Sequence, residues 1–359
     1  MAGTRVTTEL LIRPRALRFR SGLSTGAGMR VGVDGFWVRL GDGLGEVTLL
    51  PGFGTEPVDR ARAALGEAAS ALRGAAPPGS PDEVASRIKG ISILRETPAT
   101  RAGVELALLD AGARHAGTPL AAWLGAELRS VRVNALLTDD EVDALASEAR
   151  ARAHENFDTL KIKVGVQPAG QDAVRLAAVR AAVGPNVRIR VDGNGAWSEA
   201  EARERLTALA SARLEYVEQP VPAADFESLR KLRSLARIAA DESLGVPGAR
   251  EGIFGGKRPA VDVLVFKLPV MGGVLRSRRY AALAWEMGIE VVVTSALDGA
   301  VSRAGAAHLA CTLPLEGPAH GLATGHLLES DGGGYAISHG LCHLPDAPGL
   351  GIDPEVLGW

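Results

Sequence analysis

Four charged residues at regular intervals are the side chains in this sequence best placed for chemistry. Asp192, Glu218 and Asp241 each follow a short apolar run, and Lys267 follows another. The intervals between them are 26, 23 and 26 residues, about the length of one strand and one helix. The pattern predicts the ends of neighbouring parallel strands, where the four side chains meet along one edge of the sheet.

A pair of lysines ends the strand-like run that precedes these residues. The run 159–163 reads Thr-Leu-Lys-Ile-Lys, which places Lys161 and Lys163 two residues apart. Because side chains alternate along a strand, both lysines face the same side. With Lys267 at the other end of the series, we expect lysines to flank the three carboxylates on both sides.

Three carboxylates brought together predict a cation site. Clustered carboxylates repel one another unless a cation lies among them. Hard oxygen ligands with no His or Cys nearby favour Mg²⁺, or Mn²⁺, over Zn²⁺. We therefore expect Asp192, Glu218 and Asp241 to share one divalent ion. A single residue of this kind is more simply interpreted as a solvated charge at a strand end. Five strand ends in register that all carry such residues favour the metal site.

The elements that must position these residues begin near residue 131. From there, short apolar strands alternate with amphipathic helices, which predicts a parallel sheet. Seven such units favour a closed (β/α)-barrel of the TIM type, with a modified last unit, whose active site lies at the carboxyl ends of the strands. The predicted strands are Val131–Leu137, Thr159–Val164, Val187–Val191, Leu214–Val217, Ile238–Ala240, Val261–Phe266 and Glu290–Val293.

The residues on either side of this alternating region have a different pattern. Residues 4–50 read as strands with Gly turns, and helical stretches follow near 56–74, 81–95 and 100–124. We expect an α+β domain over residues 1–130, the barrel over 131–325, and a C-terminal segment, 326–359, that returns to the first domain.

Composition excludes several classes of function. The formal net charge is −2 and no segment is strongly basic, which disfavours nucleic-acid binding. No apolar run is long enough to cross a membrane or to act as a signal peptide. The two cysteines have no metal-site spacing and indicate reduced thiols, so we expect a cytoplasmic protein. No GxSxG surrounds Ser295, and the histidines show no ligand spacing. The sequence leaves the oligomeric state open.

Five short motifs resemble the muconate lactonising branch of the enolase superfamily. They are Lys161-Ile162-Lys163, Asp192-Gly193-Asn194, Glu218-Gln219-Pro220, Asp241-Glu242-Ser243 and Phe266-Lys267-Leu268. Gly45-Glu46 and residues 103–110 are similar to the capping domain of that family. The resemblance implies a modified TIM barrel with an N-terminal α+β capping domain, a magnesium cofactor and a small carboxylate substrate.

The resemblance also implies roles for individual residues. Lys163 is expected to remove the proton next to the substrate carboxylate, and Lys267 to stabilise the enediolate from the opposite side. Lys163 must be neutral to act as a base, and burial, the neighbouring Lys161 and the metal all lower its pKa. Lys161 and Asn194, which belong to the same motifs, are expected to contact the substrate.

Within this branch, further segments resemble the o-succinylbenzoate synthases. Residues 49–56 are similar to a loop that closes the pocket, with Phe53 as its apolar anchor. Residues 294–298 are similar to a signature on the seventh strand, which implies that Ser295, Leu297 and Asp298 bind an anionic group at a helix N-terminus. The implied reaction is the syn dehydration of 2-succinyl-6-hydroxy-2,4-cyclohexadiene-1-carboxylate to 2-succinylbenzoate in menaquinone biosynthesis.

Two alternatives stay open. Lysines on both faces suit an N-acylamino acid racemase or a dipeptide epimerase equally well. Dipeptide epimerases usually carry an Asp-x-Asp at the eighth strand to hold the substrate ammonium, and no such motif follows Gly317. A non-catalytic metal-binding homologue is the second alternative, and the presence of both lysines and all three carboxylates argues against it.

Overall fold

The N-terminal part of the chain forms an antiparallel sheet covered by helices. The computed structural model describes residues 9–25, 28–330 and 333–359. Its first sheet has the order β1-β2-β3. Helices follow this sheet. One of them begins at Pro81, directly after Ser80, whose side chain accepts the backbone N–H of Glu83 and so caps the helix. The elements are β1 (Leu10–Thr25), β2 (Gly28–Leu40), β3 (Gly43–Thr48), α1 (Val58–Ala71), α2 (Pro81–Gly90), α3 (Pro98–His115) and α4 (Leu120–Trp123).

Small residues let α3 pack directly on β3. A Cβ atom at Gly45 would lie 2.0 Å from the carbonyl oxygen of Gly103, so only glycine allows the two backbones to approach this closely. The boundaries differ from those predicted in two places. The helix predicted over 81–95 ends at Gly90, and the one predicted over 100–124 is divided by the turn at 117–119.

The second part is a parallel barrel. Strands β5 to β11 are hydrogen-bonded in chain order, each to its sequence neighbour. The short strand β4 (Val131–Arg132) precedes the barrel. The barrel strands are β5 (Ala135–Leu137), β6 (Thr159–Lys163), β7 (Arg188–Asp192), β8 (Tyr216–Glu218), β9 (Ile238–Ala240), β10 (Val263–Lys267) and β11 (Glu290–Thr294). The helices are α5 (Val142–His154), α6 (Ala169–Val183), α7 (Glu199–Leu209), α8 (Phe226–Leu232), α9 (Ala249–Phe254), α10 (Leu268–Met271), α11 (Val274–Glu286) and α12 (Ala300–Cys311).

Residues 319–321 take the place of an eighth strand. His320 bridges Val133 in parallel, and Gly321 bridges Thr294 at the end of β11. The N–H of Gly321 donates to the carbonyl of Val293 at 2.9 Å. The barrel is thereby closed, and the predicted fold with a modified last unit is confirmed.

The C-terminal segment contacts both β4, which precedes the first barrel strand, and the first part of the chain. Strands β12 (Ala336–Ser338) and β13 (Leu341–His343) form a sheet with β4. The strand predicted over 131–137 is therefore two strands, because β4 pairs with this segment and only β5 enters the barrel. Asp110 accepts the N–H of Leu350 at 2.6 Å, and Arg114 donates to the carbonyl of Ile352.

No helix in the described ranges is long and apolar enough to cross a membrane. Cys311 and Cys342 are buried and do not form a disulfide, in line with the reduced thiols expected.

Candidate active site

The charged residues predicted at the strand ends, here called the charged ladder, lie at the carboxyl end of the barrel. Lys163, Asp192, Glu218 and Lys267 are the last residues of β6, β7, β8 and β10, and Asp241 follows β9 directly. Strand register aligns them, since Lys163 is paired with Asp192 and Asp192 with Glu218. Inward-facing residues alternate with outward ones along each strand, so the five side chains form an arc around the barrel mouth.

These residues surround a cavity of about 630 Å³. It holds nine of the predicted site residues, and their side chains come from both parts of the chain. Two predicted residues, Glu218 and Asp298, do not line it. Each is at most 1% exposed, and Glu218 lies behind the ammonium group of Lys161. The predicted residues in the lining are Phe53, Lys161, Lys163, Asp192, Asn194, Asp241, Lys267, Ser295 and Leu297.

Two lysines neutralise the carboxylates. The Nζ atom of Lys161 lies 2.8 Å from Asp192 and 2.6 Å from Glu218, and Lys267 lies 2.5 Å from Asp241. Burial disfavours both ammonium groups, but these carboxylates outweigh it and raise the pKa of Lys161 and of Lys267. Both lysines are therefore cations in this arrangement.

Lys163 differs from its neighbours. Burial lowers the pKa of this lysine, Asp192 opposes the shift, and Lys161 and Lys267 add to it. The backbone of Lys163 is held from behind, because Arg175 on α6 donates to its carbonyl oxygen at 3.2 Å. Arg175 is itself fixed by Asp172 at 3.1 Å. Of the three lysines, Lys163 is the one whose surroundings favour a neutral amine.

The carboxylates crowd one another. Burial and the nearby Asp192 raise the pKa of Glu218 to about 8. Burial and Asp241 raise the pKa of Glu242 to about 7. Glu242 accepts a hydrogen bond from Asn194 at 3.1 Å, and its other oxygen has no protein partner. These raised pKa values show that the neighbouring carboxylates resist being ionised together.

The donor set suits a divalent cation. Asp192, Glu218 and Asp241 are buried oxygen donors on successive strand ends, the kind of ligand that Mg²⁺ prefers. A cation already bridges two of them, namely the ammonium group of Lys161. In the ranges that the structure describes, however, no three His, Cys, Asp or Glu side chains form a ready-made metal cage. The three carboxylates would fit a metal ion in place of the lysine ammonium groups, and the shared site stays a prediction.

Three residues beside the site have left-handed backbone conformations, which are rare without glycine. They are Asn194 (φ 44°), Gln219 (φ 37°) and Leu297 (φ 58°). The side-chain oxygen of Gln219 accepts the N–H groups of Asp241 and Ser243, each at 3.1 Å, which fixes the loop that carries Asp241. Strained backbone at such positions is typical of functional sites.

The loop 51–54 lies over the barrel mouth. The ring centroid of Phe53 is 5.0 Å from Nζ of Lys267 and 5.3 Å from the guanidinium carbon of Arg30. A Cβ atom at Gly54 would lie 2.7 Å from the carbonyl oxygen of Gly245, so the loop rests closely on the barrel. Phe53 is thus at the end of the barrel where the lysines and carboxylates are.

The turn after β11 contributes Ser295 and Leu297 to the cavity wall. The hydroxyl group of Ser295 is 2.7 Å from that of Thr324. Asp298 turns away, and its carboxylate accepts from the N–H of Ala296 and the hydroxyl of Ser302. Asp298 does not line the cavity and stabilises its own turn, and a contact with substrate stays a prediction.

Sequence reasoning missed several residues of the site. Arg30 and Arg175 line the cavity, and Glu242 lies beside it. Arg30 is remote from every motif, so no spacing could have identified it. Glu242 lies inside a quoted motif, directly after Asp241, and could have been found there.

Comparisons with known proteins place the chain in a family. A family model described as "Enolase C-terminal domain-like" matches residues 144–356. The chloromuconate cycloisomerase CbnB of Cupriavidus necator is 33% identical over 267 residues, 70% of each chain. The chain belongs to the enolase superfamily, in its muconate lactonising branch. The predicted membership is confirmed.

Two further enolase superfamily members are similar. The o-succinylbenzoate synthase of Thermobifida fusca is 37% identical over 217 residues, which cover 59% of this chain and 64% of that protein. The dipeptide epimerase of Enterococcus faecalis V583, solved with Mg and the dipeptide L-Leu-L-Tyr, superposes with a TM-score of 0.84 at 26% identity and covers 97% of this chain and 99% of its own. Relatives with different reactions share the fold, so the reaction must be argued from the site.

Proposed function

We propose that this chain is a Mg²⁺-dependent o-succinylbenzoate synthase that dehydrates 2-succinyl-6-hydroxy-2,4-cyclohexadiene-1-carboxylate. The proposal places the chain among the carbon–oxygen lyases of the superfamily, as a cytoplasmic enzyme of menaquinone biosynthesis. It includes the division into a capping domain (1–130), a barrel (131–325) and a returning C-terminal segment (326–359).

The charge distribution of the cavity wall is the observation that carries the proposal. Lys267 and Arg30 face the cavity, which suits a substrate with two carboxylates. The wall formed by residues 294–297 and 321–324 has no acidic side chain among the described lining residues. A dipeptide would present an ammonium group, and this wall offers it no counter-ion. The acidic residues Asp139 and Asp140 line the cavity outside this wall, and Asp140 is paired with Arg175.

The residues of the chain supply the proton transfers. Lys163, as a neutral amine, takes the proton from the carbon next to the ring carboxylate. The resulting ammonium group returns that proton to the hydroxide that leaves from the same face, so that water is released and Lys163 is neutral again. Lys267, held as a cation by Asp241, faces the negative charge that develops on the substrate.

A divalent cation held by Asp192, Glu218 and Asp241 would supply further positive charge to the substrate carboxylate. Phe53 and its loop exclude water from the mouth of the cavity. Lys161 would then be released from its two carboxylates and become available to contact the substrate, as its position in the cavity lining allows.

Racemisation of an N-acylamino acid is the second candidate function. Lys163 and Lys267 lie on strands β6 and β10, on opposite sides of the cavity, as a two-base mechanism requires. Dehydration needs only one base, because the proton and the hydroxide leave from one face. The two reactions therefore place different demands on Lys267.

The test measures both reactions with the same preparations. Purified protein is assayed for dehydration of the proposed substrate and for solvent deuterium exchange into N-succinyl amino acids, with Mg²⁺ and after chelation. We expect Mg²⁺-dependent dehydration, its loss in Lys163→Ala, and partial retention in Lys267→Arg, which keeps a cation but no usable base. Lys89→Ala, an exposed residue on α2, is the control. Efficient racemisation with negligible dehydration would overturn the synthase assignment and leave the superfamily membership intact.

A further inference from the structure

A buried glutamate of the first part of the chain reaches into the barrel. Glu46 lies on β3, and its side chain is fully buried. One carboxylate oxygen accepts the N–H of Gly299 at 2.6 Å, and the other accepts the N–H of Ser302 at 3.0 Å. These donors belong to the start of α12, so Glu46 caps a barrel helix from outside the barrel.

This contact occupies the helix N-terminus at which the resemblance predicts a substrate anion. The first N–H groups of a helix attract a carboxylate. Here the carboxylate belongs to the protein. A Cβ atom at Gly299 would lie 2.8 Å from an oxygen of Glu46, and the φ of Gly299 is −77°, so glycine is needed for close approach and not for backbone freedom.

The turn that Glu46 holds is part of the cavity wall. Residues 294–297 connect β11 to this helix start and line the cavity. Leu297 has a φ of 58°, a conformation that costs a residue with a side chain about 1–2 kcal/mol and persists only when its surroundings impose it. The two N–H groups that donate to Glu46 lie two and five residues after this strained residue.

Glu46 is itself held rigidly. The guanidinium group of Arg15 on β1 lies 3.0 Å from the carboxylate and also donates to Thr48. A similar contact is made to the preceding barrel helix, where Glu105 on α3 accepts the N–H of Leu275 at the start of α11. The first part of the chain thus contacts two successive barrel helices through buried carboxylates.

We propose that Glu46 is a positioning residue that holds the turn 294–298 in its substrate-binding conformation. Substrate binding thereby depends on how the N-terminal sheet packs against the barrel. The effect on substrate rests on the proposed function of the cavity, whereas the effect on the turn does not. Glu46 touches neither the cavity nor the lysines, so it acts only through the turn.

The chain offers a matched control in Asp110. This buried carboxylate accepts two backbone N–H groups, from Leu44 at 2.8 Å and Leu350 at 2.6 Å, and pairs with Arg114 at 2.9 Å. Its surroundings are similar to those of Glu46, but it holds the start of β3 and the C-terminal segment and makes no contact with the cavity wall. Asp110→Asn and Glu46→Gln therefore remove the same charge from the same kind of site.

Two measurements on the full-length protein test the proposal. Hydrogen–deuterium exchange followed by mass spectrometry should show faster exchange in the peptide that covers 294–303 for Glu46→Gln, by about tenfold, the factor for one charge-assisted hydrogen bond. Asp110→Asn should leave that peptide unchanged. With 2-succinyl-6-hydroxy-2,4-cyclohexadiene-1-carboxylate and Mg²⁺, Glu46→Gln should raise KM by a similar factor with kcat within about threefold, since the catalytic lysines lie on other strands.

If Glu46→Gln does not fold, Gly299→Ala gives the same test from the other side, because its new Cβ atom displaces the carboxylate. Unchanged exchange at 294–303 in the variant that folds would overturn the proposal, as would an equal rise in KM for Asp110→Asn. If the wild-type protein turns over neither test substrate, the proposed function fails, and the exchange measurement alone decides the role of Glu46.

Discussion

His308 makes the stability of this protein depend on pH in a direction that the structure determines. It lies on α12 and is fully buried. The N–H of Ala121 donates to its Nδ1 atom at 3.0 Å, and its Nε2 atom lies 3.0 Å from the hydroxyl of Tyr335, which donates to the carbonyl of Leu350. These partners are satisfied only by the neutral Nε2–H tautomer, because a proton on Nδ1 would face another N–H group.

The size of the effect follows from the pKa of His308. Burial lowers it from 6.5 to about 3 in the folded protein. Below pH 6.5, His308 therefore binds a proton in the unfolded chain but stays neutral in the folded chain. The free energy of unfolding falls as the pH decreases towards 3. From pH 7 to pH 5 the loss from this one residue is about 2 kcal/mol, at about 1.4 kcal/mol for each pKa unit.

The perturbation is His308→Gln, which retains polar atoms and does not titrate. Urea unfolding at pH 7, 6 and 5 gives the free-energy difference between wild type and variant, and we expect this difference to fall by about 2 kcal/mol between pH 7 and pH 5. The same change at His154, which is exposed on α5, is the control. A constant difference, or an imidazole signal in ¹⁵N NMR that titrates near the ordinary histidine pKa of about 6.5, would refute the reasoning.

Two substitutions test how loops position the cavity. Gly54→Ala places a Cβ atom 2.7 Å from the carbonyl oxygen of Gly245 at a φ of 93°, so we expect a loss of about 1–2 kcal/mol in urea unfolding together with a higher KM, as the loop lifts from the barrel. Arg175→Met frees the carbonyl of Lys163, so we expect kcat to fall by about tenfold or more at saturating Mg²⁺. An unchanged kcat there would show that Arg175 does not position the base.

The ladder could be read from the sequence because it depends on local periodicity. Each of Lys163, Asp192, Glu218 and Lys267 ends its strand, and Asp241 follows its strand directly, as the 23- and 26-residue intervals predict. Parallel strands with one helix between them leave little freedom in where such residues meet. The barrel and its active end were therefore predictable from one sequence.

Contacts between segments far apart in the chain were not predictable in the same way. Glu46 and Gly299 are separated by 253 residues, and Arg13 reaches the carbonyl of Gly358. No periodicity relates such positions, because they depend on how two packed units seat against each other. Asp298 shows the same limit at short range. Its position beside a helix start predicts a ligand contact, but the sequence gives no sign that Glu46 accepts the N–H of Gly299 at the same helix start.

The pairing of lysines with carboxylates was also outside the reach of pattern reasoning, and it bears on how the site works. Spacing placed Lys161 and Lys163 on one face without distinguishing them. The structure separates them by their partners, since Lys161 bridges two carboxylates whereas burial lowers the pKa of Lys163. Burial and Asp192 raise the pKa of Glu218 to about 8, so the bridging ammonium group does not fully offset the cost of burying these carboxylates. A divalent cation would satisfy these carboxylates more fully and leave Lys161 for the substrate, which would tie metal binding to substrate binding through a single side chain.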